Sequence, residues 1–371
     1  RVKANYSTET DYRRYNPDYG FYNGQRKSID FNTYHKPQIS LNHTWQINSK
    51  SNLSTSIYAT WGRGNGYSGF SNSETFSEDD LYGANYGELN TVFRNIDGTY
   101  NYGKIYEINA NSANGSELIL TKQIGNQDWY GLISTYSTQI GNKFNFYGGI
   151  DFRSCKAVHS NEIADLFGGS YFVDYSRSEV SEKDNINATN DSWVNEQLGI
   201  GDKVKRDYDS HIIQEGFFAQ LDYSNNRLYA FLGGSMNFNS YWRYDRLYYD
   251  KSNARSETKN LTGGTIKAGI NYNANRQNRV YFNIGYISSV PQFKAGVFMS
   301  ANTSHAINED AKNQKAFSTE IGYGFKNEVF SANIGGYFIE WIDKTMTKKG
   351  KLTNKEKYNM NMTGVNSLHS G

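Results

Sequence analysis

Apolar and polar residues alternate at period two in eight separate stretches of this chain. In the clearest, Thr265 to Tyr272, Ile266, Ala268, Ile270 and Tyr272 fall on one face and Thr265, Lys267, Gly269 and Asn271 on the other. Successive side chains of a strand point to opposite faces, so the pattern predicts a strand with one greasy and one wet side. The same spacing recurs at Ile39, Leu41, Trp45 and Ile47, with His43 on the apolar face; at Phe144, Phe146, Gly148, Ile150 and Phe152; and at Phe217, Ala219, Leu221 and Tyr223. It continues at Leu228, Ala230, Leu232, Gly234, Met236 and Phe238; Val280, Phe282, Ile284 and Tyr286; Phe317, Ile321, Tyr323 and Phe325; and Phe330, Ala332, Ile334, Gly336 and Phe338.

The connections alternate in length. Short ones fall at Asn48 to Ser51, Gly141 and Asn142, Ser224 to Asn226, Asn273 to Gln277, and Lys326 and Asn327, all with the residue types of tight hairpins. Long ones cover approximately 62–127, 154–211, 244–262, 290–314 and 343–357. A compact soluble domain does not carry so many long irregular loops, whereas an outer-membrane barrel has short periplasmic turns and long extracellular loops. Five of each predict about eleven antiparallel strands of a transmembrane β-barrel, including one that starts at Trp129. Leu118, Leu120 and Lys122 against Ile119, Thr121 and Gln123 read as a strand extension or a loop hairpin above the membrane, and Ile163 to Phe167 as a short helix. An unclosed set of strands leaves unpaired edges in lipid, so residues 1–371 are expected to be part of one barrel domain.

Composition agrees with this class. Only 37% of the 371 residues are hydrophobic while 16% are aromatic, with 31 Tyr and 21 Phe, a mixture suited to a boundary between lipid and water. No stretch approaches the roughly 18 apolar residues of a membrane-spanning helix, which leaves strand crossings open. Three prolines fit a ladder that needs nearly every backbone donor. Lys and Arg number 39 against 37 acidic residues, so charge gives no argument for nucleic acid as a partner. Cys155 stands alone and reads as an inert thiol near a strand end.

Several stretches then resemble a known family. They are His35-Lys36-Pro37-Gln38-Ile39-Ser40-Leu41-Asn42-His43, Asp128-Trp129-Tyr130-Gly131-Leu132-Ile133-Ser134-Thr135, Asp165-Leu166-Phe167-Gly168-Gly169-Ser170-Tyr171-Phe172 and Ala316-Phe317-Ser318-Thr319-Glu320-Ile321-Gly322-Tyr323-Gly324. Phe330-Ser331-Ala332-Asn333-Ile334 with Trp341-Ile342-Asp343-Lys344, and Met362 to Gly371, complete the set. Together they resemble TonB-dependent outer-membrane receptors of the Bacteroidetes type. The resemblance implies a 22-stranded barrel around a plug that receives energy through the TonB complex. No plug or TonB box is recognisable here, and family members continue past His369-Ser370-Gly371 into further strands, so a barrel fragment is expected. It implies an outer-membrane location, contact with lipid and lipopolysaccharide, a small nutrient ligand (ferric siderophore, haem, cobalamin or oligosaccharide) for energised import, and admits a surface lipoprotein partner. The alternatives are a passive porin-like barrel and a soluble β-rich carbohydrate-binding module.

Candidate chemistry is sparse. Gly62-Arg63-Gly64-Asn65-Gly66 lacks the helix and partner residues of a phosphate loop and reads as a mobile turn leaving a strand. Glu78, Asp79 and Asp80 match no calcium-loop spacing and read as a solvated acidic loop. The histidines at 35, 43, 159, 211, 305 and 369 show no metal-ligand spacing, and no nucleophile elbow or Cys/His pair exists, so neither a metal, a cofactor nor an enzyme is expected. Lys344, Lys348, Lys349, Lys351, Lys355 and Lys357 read as a charged extracellular loop. For ligand contact the candidates are the loop aromatics Tyr67, Phe70, Tyr82, Tyr86, Tyr171, Phe172, Trp193, Tyr241, Trp242 and Tyr244, because rings stack on sugars and flat chelates at little entropic cost.

Overall fold

The computed structural model describes residues 19–71, 93–95, 98–299, 301–351 and 357–371. A small hairpin, β1 (Tyr19–Tyr22) and β2 (Gln25–Ser28), turns at Asn23 and Gly24, both at positive φ as a two-residue hairpin requires. Twelve strands then form one antiparallel sheet: β3 (Phe31–His35), β4 (Gln38–Asn48), β5 (Ser51–Ser71), β6 (Leu118–Ile140), β7 (Phe144–Asp165), β8 (Lys203–Ser224), β9 (Leu228–Asp245), β10 (Lys259–Asn273), β11 (Asn278–Ser289), β12 (Gln314–Lys326), β13 (Ser331–Lys351) and β14 (Lys357–Ser370). β3 and β4 both pair with β5, along Arg63–Tyr67 and Ser51–Thr60 respectively. They are one crossing interrupted at Lys36 and Pro37, where proline has no N–H to give the ladder. The twelve strands therefore make eleven crossings, each hydrogen-bonded to the next in chain order.

Register extends the period-two pattern into a continuous face. Ile39 pairs with Ala59 and Leu41 with Ile57; Ile57 pairs with Leu132, which meets Phe152. Farther along, Ile150 pairs with Phe217, Phe217 with Met236, Ile270 with Phe282 and Phe282 with Ile321. A water-soluble sandwich would bury these side chains. Here Leu41, Ile150, Leu232, Ile266, Ile321 and Ile334 are all exposed, Leu41 to 69% and Ile334 to 72%, as a lipid-facing surface must be. From Phe144 to Ser154 the ten steps of β7 cover about 33 Å of strand, which a tilt of about 40° reduces to about 25 Å of height. Trp45, Phe144, Tyr223, Tyr272 and Tyr323 border the band at the short-turn end, where Phe144 and Tyr223 rings lie 5.0 Å apart. Trp61, whose Nε1 donates to the Tyr130 hydroxyl at 3.2 Å, and Trp242 border it at the other end. Glu215, beside Phe152 and Phe238, marks its upper margin.

The opposite face is polar and built differently. Tyr281 donates to Glu320 at 2.9 Å, Arg279 to Asn333 at 2.9 Å, and Ser137 to Asn52 at 2.9 Å. Rings on this face lie over glycines of the next strand: Tyr281 over Gly322, Phe231 over Gly269 and Tyr58 over Gly131, so close that a Cβ on the glycine would collide with the ring. Three short turns share one device. The Oδ1 atoms of Asn225, Asn275 and Asn327 each accept from the backbone N–H groups two and three residues on, at 2.7–2.9 Å.

At the long-loop end the strands run well past the band, β5 to β8 being 21 to 23 residues long. The long connections are accordingly shorter than their sequence reading. Gly62 to Gly66 is strand, not a mobile turn, because β3 and β6 both supply ladder partners there. Leu118 to Gln123 is the first turn of pairing in β6, a strand extension. Ile163 to Asp165 continues β7 and Leu166 to Phe167 turns, with Phe167 at φ 46, so the expected short helix is absent. Helix α1 (Tyr102–Asn111) lies instead in the β5–β6 connection, capped by the Asn101 side chain accepting from Lys104 N at 3.2 Å. One helical turn, α2 (Asp191–Val194), lies in the β7–β8 loop. Lys344, Lys348, Lys349 and Lys351 belong to β13 and Lys357 to β14 rather than to a loop, while Lys355 falls outside the described residues.

The buried cores belong to these loops. Ile29, Phe93, Tyr100, Tyr102, Ile105, Leu118 and Phe167 pack α1 against one side of the extended sheet, the side continuous with the apolar face. Ile119, Ile163, Leu166, Phe172, Leu198 and Val204 pack the β7–β8 loop on the other side. Val297 and Phe298, with Phe293 and Ile307, seat the β11–β12 loop over Ile212, Tyr241 and Leu261 on the polar face. The β7–β8 and β11–β12 loops thus fold inward over the polar side of the sheet, while α1 covers the other side.

Candidate functional site

Where those inward loops meet the polar face, the strand register collects a set of unlike side chains. His159 of β7 pairs with Tyr208 of β8 and with Gly125 of β6, which places all three on one face. The His159 and Tyr208 rings lie 4.8 Å apart. Two residues before Tyr208, Arg206 reaches back across β7: its Nε donates to Asn161 Oδ1 at 2.7 Å and a terminal nitrogen donates to Gln123 Oε1 of β6 at 3.4 Å. The floor at Gly125 is exposed backbone, with nothing within 4 Å of where a Cβ would stand. Gln127 and Trp129 continue this face of β6, the Trp129 Nε1 donating to Gln127 Oε1 at 3.5 Å. Lys294, on the β11–β12 loop, lies close enough for its charge to act on His159.

Two backbone outliers deliver the cations. Lys205, immediately before Arg206, has φ 69, and its N–H donates to Asp174 Oδ2 at 3.1 Å. Ala295, immediately after Lys294, has φ 66, and its N–H donates to Phe298 O at 2.7 Å. Such conformations cost about 1 kcal/mol or more in a non-glycine residue and persist only where surrounding contacts hold them.

Arg243 anchors the loop that carries Lys294. It is 1% exposed, its guanidinium carbon lies 3.6 Å from the Tyr208 ring centroid, and it donates to the carbonyls of Ala301 at 2.9 Å, Ser304 at 2.6 Å and Asn302. Its charge is met by Asp245 at 3.2 Å, and Asp245 also accepts from Leu247 N and Tyr248 N. The Tyr248 hydroxyl donates to Asp174 Oδ2 at 2.7 Å, tying the β9–β10 loop to the β7–β8 loop. His305 stacks on Tyr249 at 3.9 Å, and its Nε2 lies 3.1 Å from Ala254 O.

These groups lie beyond the apolar band, and their protonation follows their surroundings. Burial, then the positive charges of Arg206, Lys294 and Arg243, push His159 down to about 4, so its imidazole is neutral at pH 7. Burial and then Arg243 push His305 down to about 4 as well. Lys294 is lowered by burial and then by Arg206 and Arg243, and Arg206 by burial. No carboxylate among the described residues acts on Arg206 or Lys294. The patch therefore holds two cations to which no carboxylate among the described residues hydrogen-bonds, with amide groups, an indole and one neutral imidazole on which the Asp209 charge also acts.

The sequence-chosen aromatics are spread over both sides of the sheet. Phe70 and Phe172 meet at 5.7 Å in the inner loop core, with Lys205 over Phe70 at 4.8 Å. Tyr241 is buried under Phe293 at 5.8 Å. Tyr67 stacks on Phe31 at 4.0 Å, and Trp242 on His211 at 4.8 Å with Arg255 above it, both on the side continuous with the apolar face. Tyr244 forms a bridge with Arg255 on that side. Trp193, half-buried, faces Arg177 at 5.1 Å, and the Tyr171 hydroxyl donates to Ala113 O at 3.3 Å. Tyr82 and Tyr86, like Glu78, Asp79 and Asp80, lie outside the described residues. Arg206, Lys294, His159, Gln123 and Gln127 were not singled out as ligand contacts from sequence, since no local spacing joins them. No cluster of metal-ligating side chains occurs among the described residues.

Comparison with known proteins places the fold. No family model matches the sequence, and no characterised protein matches it at the sequence level. Solved structures do. The copper transporter OprC superposes with a TM-score of 0.56 at 10% identity, over 93% of this chain and 45% of that one. The ferric citrate transporter FecA, unliganded, superposes with a TM-score of 0.53 at 11% identity, over 92% of this chain and 40% of that one. The chain spans less than half the length of either. At such identity the likeness is one of fold: the antiparallel sheet of an outer-membrane β-barrel.

Proposed function

We propose that this chain is barrel from an outer-membrane receptor that captures a small nutrient outside the cell for energised import. One observation carries the reading. At the long-loop end of a two-faced sheet, the β7–β8 and β11–β12 loops pack inward over the polar face and leave an open patch at Gly125 beside His159, Gln127 and Arg206, within reach of the Lys294 charge. A porin needs an unobstructed polar lumen, whereas capture needs folded loops and convergent polar groups. Both superposed neighbours bear transporter names, which agrees with this choice. The chain does no covalent chemistry: the loops and polar face hold the ligand, and movement of a plug within the barrel passes it inward. Trp193 and Tyr171, half-exposed on the β7–β8 loop, are proposed as first contacts.

The test is uptake by cells bearing the protein in their outer membrane, across a panel of labelled nutrients, with and without a protonophore. Saturable accumulation abolished by the protonophore is expected. Uptake linear in concentration and indifferent to the protonophore would establish the passive pore instead.

A further inference from the structure

We propose that the patch around Gly125 is a binding site for a multiply charged oxyanion, a polycarboxylate or phosphate-bearing small molecule, with Arg206 and Lys294 as its cationic contacts. The inference rests on the import reading only for its biological setting; the site itself stands on geometry. Arg206 is aimed across three strands by two amide acceptors, which fix the guanidinium, and no carboxylate among the described residues hydrogen-bonds to it. Lys294 stands on the β11–β12 loop, seated over Ile212 and Tyr241 within reach of the Arg206 charge, on a turn whose left-handed Ala295 is held by hydrogen bonds at 2.7 and 2.9 Å. Two like charges brought together, each beside a strained residue, are held against their own repulsion. An anion between them removes that cost.

The shape agrees with the charge. Gly125 leaves the floor open where any side chain would fill it, and Gln127 and Trp129 continue the same wall. Asn161, fully buried, gives its oxygen to Arg206, and its Nδ2 has no acceptor in the fold, which leaves a donor beside the guanidinium. The neutral His159 offers a hydrogen bond now and takes up a proton more readily once an anion sits beside it. Gln127 and the neutral His159 each bring an acceptor as well as a donor, so it is the charge of Arg206 and Lys294 that favours an anion over a neutral sugar.

The experiment is titration calorimetry on the protein purified from outer membranes in detergent, with citrate, inorganic phosphate and the neutral trisaccharide raffinose. Citrate or phosphate is expected to bind, more weakly as salt rises, and raffinose is not; which anion binds tells carboxylate from phosphate chemistry. Arg206→Gln and Lys294→Gln should each weaken binding about tenfold, the loss of one charge-assisted contact. The His159 imidazole, followed by NMR, should titrate above its unliganded value of about 4 when the anion is bound. Unchanged binding in both variants, or no anion binding in wild-type protein of native electrophoretic mobility, overturns the proposal. Anion binding lost in Arg206→Gln without protonophore-sensitive uptake would keep the site and discard the import reading. Energised uptake untouched by Arg206→Gln and Lys294→Gln together would do the reverse.

Discussion

The guanidinium carbon of Arg243 lies 3.6 Å from the centroid of the Tyr208 ring, and on the paired strand the His159 ring lies 4.8 Å from that same ring. The stack joins two features that are far apart in sequence: the clasp on the β11–β12 loop and the open cationic patch. Tyr208, 4% exposed, is the wall between them.

Arg243→Ala should release that loop. The substitution removes donors to three carbonyls and strands Asp245, which is 0% exposed; breaking a buried pair costs about 3–5 kcal/mol. Limited proteolysis should then cut within 290–313 while the strands stay protected. Protection equal to wild type would show that the apolar seat at Val297 and Phe298 suffices.

Acid should loosen the same end of the molecule. His305 is lowered to about 4, against about 6.5 in an unfolded chain, so the folded state binds fewer protons between these values. The stability it contributes is complete above about pH 6.5 and is lost as pH falls toward 4, at most about 3 kcal/mol. Arg243 is the charge beside it, and the Ala254 carbonyl, which favours the protonated ring, offsets part of the effect. Protection factors, which correct amide exchange for its intrinsic fall with pH, should drop in the β9–β10 and β11–β12 loops from pH 7 to pH 4.5 in wild type and less in His305→Gln.

The two faces should answer substitution differently. Ile270→Arg on the apolar face should cost about 2–4 kcal/mol near mid-membrane, whereas Lys267→Ala on the polar face should be mild. A folding titration into lipid vesicles measures both, and equal small effects would remove the face assignment.

Gly322 and Tyr281 should be coupled. Gly322→Ala drives a methyl group into the Tyr281 ring and should destabilise by about 1–3 kcal/mol. Tyr281→Ala in the same molecule should recover part of that loss, which a double-mutant cycle reads directly.

What the sequence made legible follows the range of the forces. Ile266, Ile270 and Phe282 announce their face because lipid imposes one rule on every second residue, and the alternation of short and long connections announces the order of strands. Asn225, Asn275 and Asn327 are readable too, since their bonds reach only two and three residues on. The patch was not readable. Arg206 meets Asn161 and Gln123 across 45 and 83 residues, through a register no local window contains. The left-handed conformations at Lys205 and Ala295 carry no glycine to signal them. Strand ends were legible only in part: Leu118 and Ile119 read as a strand extension or a loop hairpin, and Ile163 as helix, until α1 and the β7–β8 loop are seen covering both sides of the extended sheet.

Capture from outside requires the long-loop end of the sheet to face outward, and site-directed labelling reads that orientation directly. Ile186, 71% exposed on the β7–β8 loop, and Asn142, in the β6–β7 turn, are each replaced by cysteine; the native Cys155 is buried. Intact cells are then treated with a membrane-impermeant maleimide. The account predicts that Ile186→Cys reacts at once and Asn142→Cys only after the outer membrane is permeabilised. Labelling of Asn142→Cys alone in intact cells would turn the molecule over and contradict it.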